Sequence, residues 1–358
     1  LTAGSAAKPY DGNALTQDEV TVSGDGFAAG EGAVYEVTGS RTLPGSSANT
    51  FTYSLTEGTK AENYNITAAE GTLTVTNRSA LYEITVRGAD GSAKYNGREQ
   101  AAEGLQNTTF DIGGHSYTVS GLTARGAGTH ADTYPVTVSG TPVVRDSDGN
   151  DVTAQFSVLV EPGTLEILPR EISFTSADAQ KEYDGTPLNT LDQPNQGITV
   201  GGEGFADGDG ADFTVTGSQQ LAGSSANTFG YTLDPGTKEG NYRIRTEEGT
   251  LTVLNRSARY SITMEALSGE QLYDGHEHSL SGLKSQRFTV GGAVYTVSGM
   301  SAEGHGIDAG TYPVAVIGTP VVLDAAGNDV SAQFRVETRG GELVIRKRSI
   351  VLRSGDAA

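Results

Sequence analysis

Apolar and polar residues alternate along most of this chain with a period of two. In Thr72-Leu73-Thr74-Val75-Thr76 the apolar Leu73 and Val75 share one face and the threonines share the other, the signature of a half-buried β-strand. Leu165 with Ile167, Leu251 with Val253, Tyr35 with Val37 and Tyr295 with Val297 repeat the alternation. Thr, Val, Tyr and Phe favour strands, and no window places apolar residues at helical spacing over three turns. The pattern predicts an all-β protein with almost no helix.

The alternation is itself repeated. Residues 1–168 and 174–347 are two copies of one pattern, and each copy holds two related units. Three landmarks recur in order. A Tyr-x-Gly opens each unit, at Tyr10-Asp11-Gly12, Tyr95-Asn96-Gly97, Tyr183-Asp184-Gly185 and Tyr273-Asp274-Gly275. A Thr-aromatic pair follows, at Thr50-Phe51, Thr133-Tyr134, Thr228-Phe229 and Thr311-Tyr312. A Gly-x-Leu opens the last strand, at Gly71, Gly163, Gly249 and Gly341. Phe51 to Leu73 and Phe229 to Leu251 span 22 residues, whereas Tyr134 to Leu165 and Tyr312 to Leu343 span 31. The order is therefore A-B-A-B. A period this long marks a small domain rather than a solenoid turn.

The extra B residues read as a strand, a turn and a strand. Pro142–Arg145 and Val152–Phe156 flank Asp146-Ser147-Asp148-Gly149-Asn150-Asp151, and Asp324-Ala325-Ala326-Gly327-Asn328-Asp329 stands at the same place in the fourth unit. Gly and Asn accept positive φ at little cost, so each B unit is expected to carry a longer hairpin. The landmark tyrosines read as architectural, with the ring at a sandwich edge and the hydroxyl on a backbone group. The Thr-aromatic pairs read as core positions.

The units divide the chain into 1–78, 79–168, 169–256 and 257–347. Residues 348–358 match the entry strand of a further repeat, because Leu352-Arg353-Ser354-Gly355-Asp356 parallels Phe174-Thr175-Ser176-Ala177-Asp178. This tail is expected to be disordered or borrowed by an open sheet edge of another molecule. The linkers are short and lack Gly/Ser tethers, so the joints should be stiff. The fold expectation is four small Ig-like β-sandwiches, each closing its own core, in an extended row. β-Grasp-like repeats with a reduced helix are the alternative.

Composition narrows the function. Lys and Arg number 24 against 44 Asp and Glu, for a net charge of −20. That field repels phosphate backbones and argues against nucleic acid as a partner. No apolar run is long enough for a spanning helix, and no basic run suits an anionic membrane. The opening at Leu1 shows no signal-peptide pattern, and an internal fragment of a longer chain is expected. Cysteine is absent, which removes disulfides, thiolate nucleophiles and Cys-ligated zinc.

Candidate chemistry is sparse. Asp146, Asp148 and Asp151 could offer oxygen ligands to calcium. The spacing is not that of an EF-hand, Ala326 replaces the middle Asp in the fourth unit, and a plain turn competes with the metal reading. His276-Glu277-His278 sets two imidazoles on one side of a strand, but Arg98-Glu99-Gln100 stands there in the second unit. A covalent Lys–Asn cross-link between first and last strands, helped by a nearby acid, is open to Lys8 with Asn77 and Lys181 with Asn255 if those strands run parallel. His115, His130 and His305 are scattered and support no catalytic triad. No cofactor and no catalytic residue is expected.

The Tyr-Asp-Gly openings, the Gly-Asn-Asp-Val turns at 149–152 and 327–330, and the closing Asn-Tyr-x-Ile…Glu-Gly-Thr-Leu-Thr-Val at 63–75 and 241–253 together resemble the bacterial surface repeats called MBG or YDG domains. The resemblance covers nearly the whole chain and departs from the pattern at Asn96. It implies extracellular tandem β-domains of large bacterial surface proteins or exported enzymes, acting as spacers or binding modules, and supplies no catalytic residue. The leading expectation is a non-catalytic stalk at the cell surface, attached to the wall through an anchor outside this segment. The alternatives are an adhesin module for a host protein or glycan, and accessory domains of a large secreted hydrolase. A monomeric rod is expected, with head-to-tail strand exchange through residues 349–358 as the alternative.

Overall fold

The computed structural model describes residues 1–355; residues 356–358 of the expected entry strand lie outside the described residues. The described chain is all-β, built from many small mixed sheets with only short 3₁₀ turns such as Ala61–Asn63 and Thr153–Gln155 between strands. It divides into two compact units. The first comprises Leu1–Arg170 with Gly240–Tyr242, and the second Glu171–Glu239 with Arg243–Ala358.

In the first unit, residues 1–78 form three small sheets. Thr2–Ala3 pairs with Val20–Thr21, and Ala33–Val37 pairs with Phe51–Leu55. Gly71–Thr76 lies between Ala6–Pro9, which runs parallel to it, and Gly45–Asn49, which runs antiparallel. Residues 79–168 form a near-barrel. Its six-stranded sheet is organised on a hairpin of two 14-residue strands, His115–Gly128 and Asp132–Arg145. A three-stranded sheet of Leu105–Gln106, Tyr82–Gly88 and Phe156–Glu161 completes it. Gly113 and Gly114, at φ of 60° and 85°, make the two-residue turn that joins Thr109–Ile112 to the hairpin. The second unit repeats this plan, with its own near-barrel on the hairpin Ala293–Gly306 and Gly310–Leu323.

The alternation predicted for the closing strands is observed. Leu73, Val75, Leu165, Ile167, Leu251, Val253, Leu343 and Ile345 are all buried. The four Gly-x-Leu glycines have a shared reason. A Cβ on Gly71, Gly163, Gly249 or Gly341 would lie within 2.4 Å of the carbonyl oxygen of Gly4, Ala89, Ser176 or Leu267, where the chain passes from one opening strand to the next. The aromatic members of the Thr-aromatic pairs are half-buried rather than central to the core, and Thr50, Thr133 and Thr311 are exposed.

Two expectations are corrected. The segment after the Asp/Gly/Asn turn does not fold back as a hairpin on Pro142–Arg145. Arg145 and Asp151 make one isolated bridge, and Phe156–Glu161 then crosses to the other sheet and runs parallel to Tyr82–Gly88. A parallel strand can take the same residue types as a hairpin partner, and long-range pairing decides between them. Nor are the interiors wholly separate, although Ala266, Ala302, Val314, Leu343 and Ile345 form a cluster within the fourth repeat alone. Tyr10 and Val75 of the first repeat share one buried cluster with Ile84, Val86, Tyr117 and Phe156 of the second. Tyr183, Leu251 and Val253 do the same with Ile262, Met264, Tyr295 and Phe334. The landmark tyrosine and the closing strand of each A repeat are thus walled in by the B repeat that follows.

Candidate functional site

The most heavily built region of each unit is the seam between its A and B repeats. Tyr10, 1% exposed, projects from the Tyr-Asp-Gly turn into the shared cluster. Its hydroxyl lies 3.4 Å from that of Tyr117, so it meets another side chain inside the core rather than a backbone group at an edge. Tyr117 packs edge-on against Phe156 at 4.9 Å, and Phe156 meets Tyr82 at 5.5 Å.

Arg78 and Gln155 lock this seam from the outside. Arg78 Nη1 donates to the Tyr10 carbonyl at 3.0 Å, Nε donates to Ala80 O at 2.9 Å, and the guanidinium lies 4.0 Å over the Tyr82 ring. That combines directed hydrogen bonds with a cation–π contact, which a lysine could not reproduce. Gln155 is buried; its Oε1 accepts from the Arg78 amide at 3.0 Å and its Nε2 donates to Asn77 Oδ1 at 2.6 Å. The second unit repeats each part. Arg256 Nη1 donates to Tyr183 O at 3.1 Å, the guanidinium lies 4.0 Å over Tyr260, and Gln333 bridges Arg256 to Asn255. Sequence reasoning missed Arg78, Gln155 and their counterparts. The available signal was the recurrence of Asn-Arg-Ser at 77–79 and 255–257 and of Ala-Gln-Phe at 154–156 and 332–334.

Burial, and then the hydroxyl contact with Tyr117, push the Tyr10 pKa far above the ordinary tyrosine value; burial and Tyr295 do the same for Tyr183. Above pH ~10 an unfolded tyrosine loses its proton while the seam tyrosines keep theirs. The unfolded state then binds fewer protons, and stability falls as pH rises through that range. The expected result is a drop in the denaturation midpoint beginning near pH ~10. A Tyr10→Phe/Tyr183→Phe chain should show a shallower drop, and identical pH profiles would refute the assignment.

The sequence-predicted residues occupy other roles. Asp146 Oδ1 accepts from the Asp148 amide at 3.1 Å and the Asn150 amide at 2.8 Å, while Oδ2 accepts from Asn150 Nδ2 at 3.0 Å. Asp151 Oδ1 accepts from the Thr153 hydroxyl at 2.6 Å and its amide at 3.0 Å, and these bonds hold its pKa below the usual carboxylate value. Asp324 and Asp329 make the same turn with Ala326 between them. Among the described residues no group of three or more His, Asp or Glu side chains is arranged to hold a metal ion. His278 Nε2 lies 3.1 Å and His276 Nδ1 3.6 Å from Asp274 Oδ1; His276 is exposed, whereas His278 is largely buried.

The strands carrying Lys8 and Lys181 do run parallel to the closing strands. Lys8 Nζ donates to Asp11 Oδ1 at 2.8 Å and Asn13 O at 2.9 Å. Burial raises the Asp11 pKa, but Lys8 and the Asn13 amide outweigh it and hold the carboxyl below its ordinary value. Lys181 Nζ donates to Asp184 Oδ1 at 2.8 Å and to the Thr186 hydroxyl at 2.7 Å. Asn77 and Asn255 are engaged by Gln155 and Gln333. The hydrogen bonds of both proposed cross-linking pairs therefore lead to other partners.

No protein-family model matches the chain, and no curated protein matches it. Among solved structures, it shows likeness to an endo-fucoidan hydrolase of glycoside hydrolase family 107, at 14% identity and a TM-score of 0.15. The likeness covers 73% of this chain and 43% of the hydrolase chain, so this chain spans less than half of that protein's length. No helix among the described residues is long and apolar enough to cross a membrane.

Proposed function

We propose that this chain is a load-bearing, non-catalytic spacer of a bacterial surface protein, in which each A and B repeat pair acts as one β unit. The observation that carries this reading is the pairing of entry and exit strands. In every repeat an opening strand runs parallel to the closing one in the same register. Ala6 opposes Leu73, Gly91 opposes Leu165, Ala179 opposes Leu251 and Gly269 opposes Leu343. The B repeats add a second parallel pair of six residues each, Tyr82–Gly88 with Phe156–Glu161 and Tyr260–Glu265 with Phe334–Arg339.

Tension enters a repeat at the start of the first strand and leaves at the end of the last. With parallel neighbours, the two strands are pulled in opposite directions along their length. All the inter-strand hydrogen bonds are then loaded together, instead of opening one after another as in a pulled hairpin. Forced extension is governed by the unfolding rate, so this arrangement delays rupture. The resemblance to MBG/YDG surface repeats and the acidic, cysteine-free composition fit an extracellular location with the anchor elsewhere in the protein.

Single-molecule pulling from the two termini tests the reading. Discrete cooperative ruptures at forces clearly above those of a hairpin pulled open from its ends are expected. Smooth extension at low force would overturn it. Saturable binding on a glycan or matrix-protein array would instead favour the adhesin reading.

A further inference from the structure

The seams of the two units differ beside the landmark tyrosine. In each near-barrel a pair of glycines turns one strand into the next, Gly113-Gly114 in the first and Gly291-Gly292 in the second. The residue after the turn is His115 in the first unit and Ala293 in the second. The surroundings are matched in sequence: Tyr10 with Tyr183, Gly12 with Gly185, Tyr117 with Tyr295 and Asp146 with Asp324.

In the first unit the His115 imidazole covers the Tyr-Asp-Gly turn. A Cβ on Gly12 would lie 2.5 Å from His115 Cδ2 and 2.9 Å from the Tyr117 hydroxyl, so ring and hydroxyl meet over this glycine. His115 Nε2 lies 3.1 Å from Asn13 Oδ1, and the Tyr117 hydroxyl lies 3.4 Å from that of Tyr10. The chain's own side chains close the place.

In the second unit the equivalent place is a cavity of about 290 Å³, lined by Tyr183, Gly185, Gln220, Ala293, Tyr295 and Asp324 among others. A Cβ on Gly185 would lie 2.6 Å from the Tyr295 hydroxyl and 3.5 Å from Ala293 Cβ, so both stand over the glycine that His115 covers in the first unit. Tyr295 is 1% exposed, and its hydroxyl has no hydrogen-bond partner among the described residues. A buried hydroxyl left without a partner is costly, and a ligand that supplies one recovers that cost. The volume sits at the lower limit for small-molecule pockets, which run from about 300 to 1,000 Å³, so the occupant is small.

The walls restrict its chemistry. Asp324 Oδ1 accepts from the Ala326 amide at 2.9 Å and the Asn328 amide at 2.8 Å, which fixes a carboxylate at the rim and disfavours anions. Gln220 Nε2 donates to Gly185 O at 3.1 Å. Ala325 and Ala326 replace Ser147 and Asp148 of the first unit, so this wall is more apolar.

We propose that this cavity binds a nitrogen heteroaromatic ring of imidazole size, neutral or cationic. The ring lies against Gly185 and Ala293, as the His115 ring lies against Gly12, and shares a hydrogen bond with the Tyr295 hydroxyl. A neutral imidazole carries one donor and one acceptor nitrogen, so it satisfies the hydroxyl in either role. The ring can belong to a free small molecule or to an exposed histidine of a polypeptide.

Amide NMR titration of the 358-residue chain with imidazole, N-acetylhistidine methylamide and sodium acetate tests the site. Imidazole should give saturable shifts at Gly185, Ala293, Ala325 and Ala326, with a Kd on the order of a millimolar for so few atoms. Gly12 and His115 should not respond. The histidine amide moving the same signals extends the site to polypeptide histidines, and its failure restricts the site to free rings. Ala293→His supplies the ring from the chain itself and should abolish the shifts. His115→Ala opens the first unit and should add a second set around Gly12 and Tyr117. Tyr295→Phe keeps the core ring and should weaken binding about tenfold. No saturable shift in the parent, an equal response to acetate, or unchanged affinity in Ala293→His or Tyr295→Phe would each overturn the proposal. Load-bearing is independent of this site, and a chain that binds no ring could still resist tension.

Discussion

Replacing Tyr10 by alanine is expected to destabilise the first unit by about 3–5 kcal/mol, the range for emptying a large buried aromatic site. The ring is almost fully buried among Val75, Ile84, Val86, Tyr117 and Phe156, which come from both repeats. The substitution also deprives the buried Tyr117 hydroxyl of its neighbour, and an unsatisfied buried hydroxyl carries its own penalty. Tyr10→Phe keeps the ring and should lose only about 1 kcal/mol. Val34→Ala, at a side chain 64% exposed, serves as the control and should change stability by under about 0.5 kcal/mol. Denaturant titration of the three variants gives the comparison. A Tyr10→Ala chain as stable as the Val34→Ala chain would remove the seam from the account of what holds the repeats together.

The second large effect is expected at Gly163. A Cβ there would lie 2.3 Å from Ala89 O and 2.4 Å from Gly88 O. Both obstacles are backbone atoms, so no rotamer change relieves the contact. A Cβ on Gly88 would in turn meet Val136 O at 2.4 Å and Gly163 N at 2.7 Å, so main chain is packed closely on both sides of this contact. Overpacking ordinarily costs 1–3 kcal/mol, and Gly163→Ala should reach about 3 kcal/mol or more because main chain must move. Gly230→Ala, where a Cβ meets nothing within 4 Å, should be nearly neutral by the same measurement. Equal midpoints for the two alanine variants would contradict the close crossing. Because the crossing recurs at Gly71, Gly249 and Gly341, alanine at those positions should behave like Gly163→Ala.

These two sites mark where sequence reading works and where it stops. The repeat itself was legible, since a Tyr-x-Gly, a Thr-aromatic and a Gly-x-Leu return in order four times. The strands were legible because burial on one face imposes a period of two, as in Leu73 and Val75. The importance of Tyr10 was legible, but its surroundings were not. Its Tyr117 partner lies 107 residues away, and nothing local distinguishes an edge tyrosine from one that plugs a neighbour's core. Phe156–Glu161 shows the same limit: its alternation suits either an antiparallel hairpin or a parallel partner, and the chain chose Tyr82–Gly88. Arg78 and Gln155 went unread because a polar residue beside a linker looks solvated until the opposite wall is known.

By itself, then, the amino-acid order determined the β character, the four-fold periodicity, the A-B-A-B alternation and the residues that must be buried, because these depend on local propensity and on the two-residue repeat of side-chain direction. Tertiary structure alone decided which strands became neighbours, that entry and exit strands run parallel, and that A and B repeats share a core. Those outcomes depend on contacts between residues far apart in the chain, where several pairings satisfy the same local pattern and only packing of the whole unit selects among them.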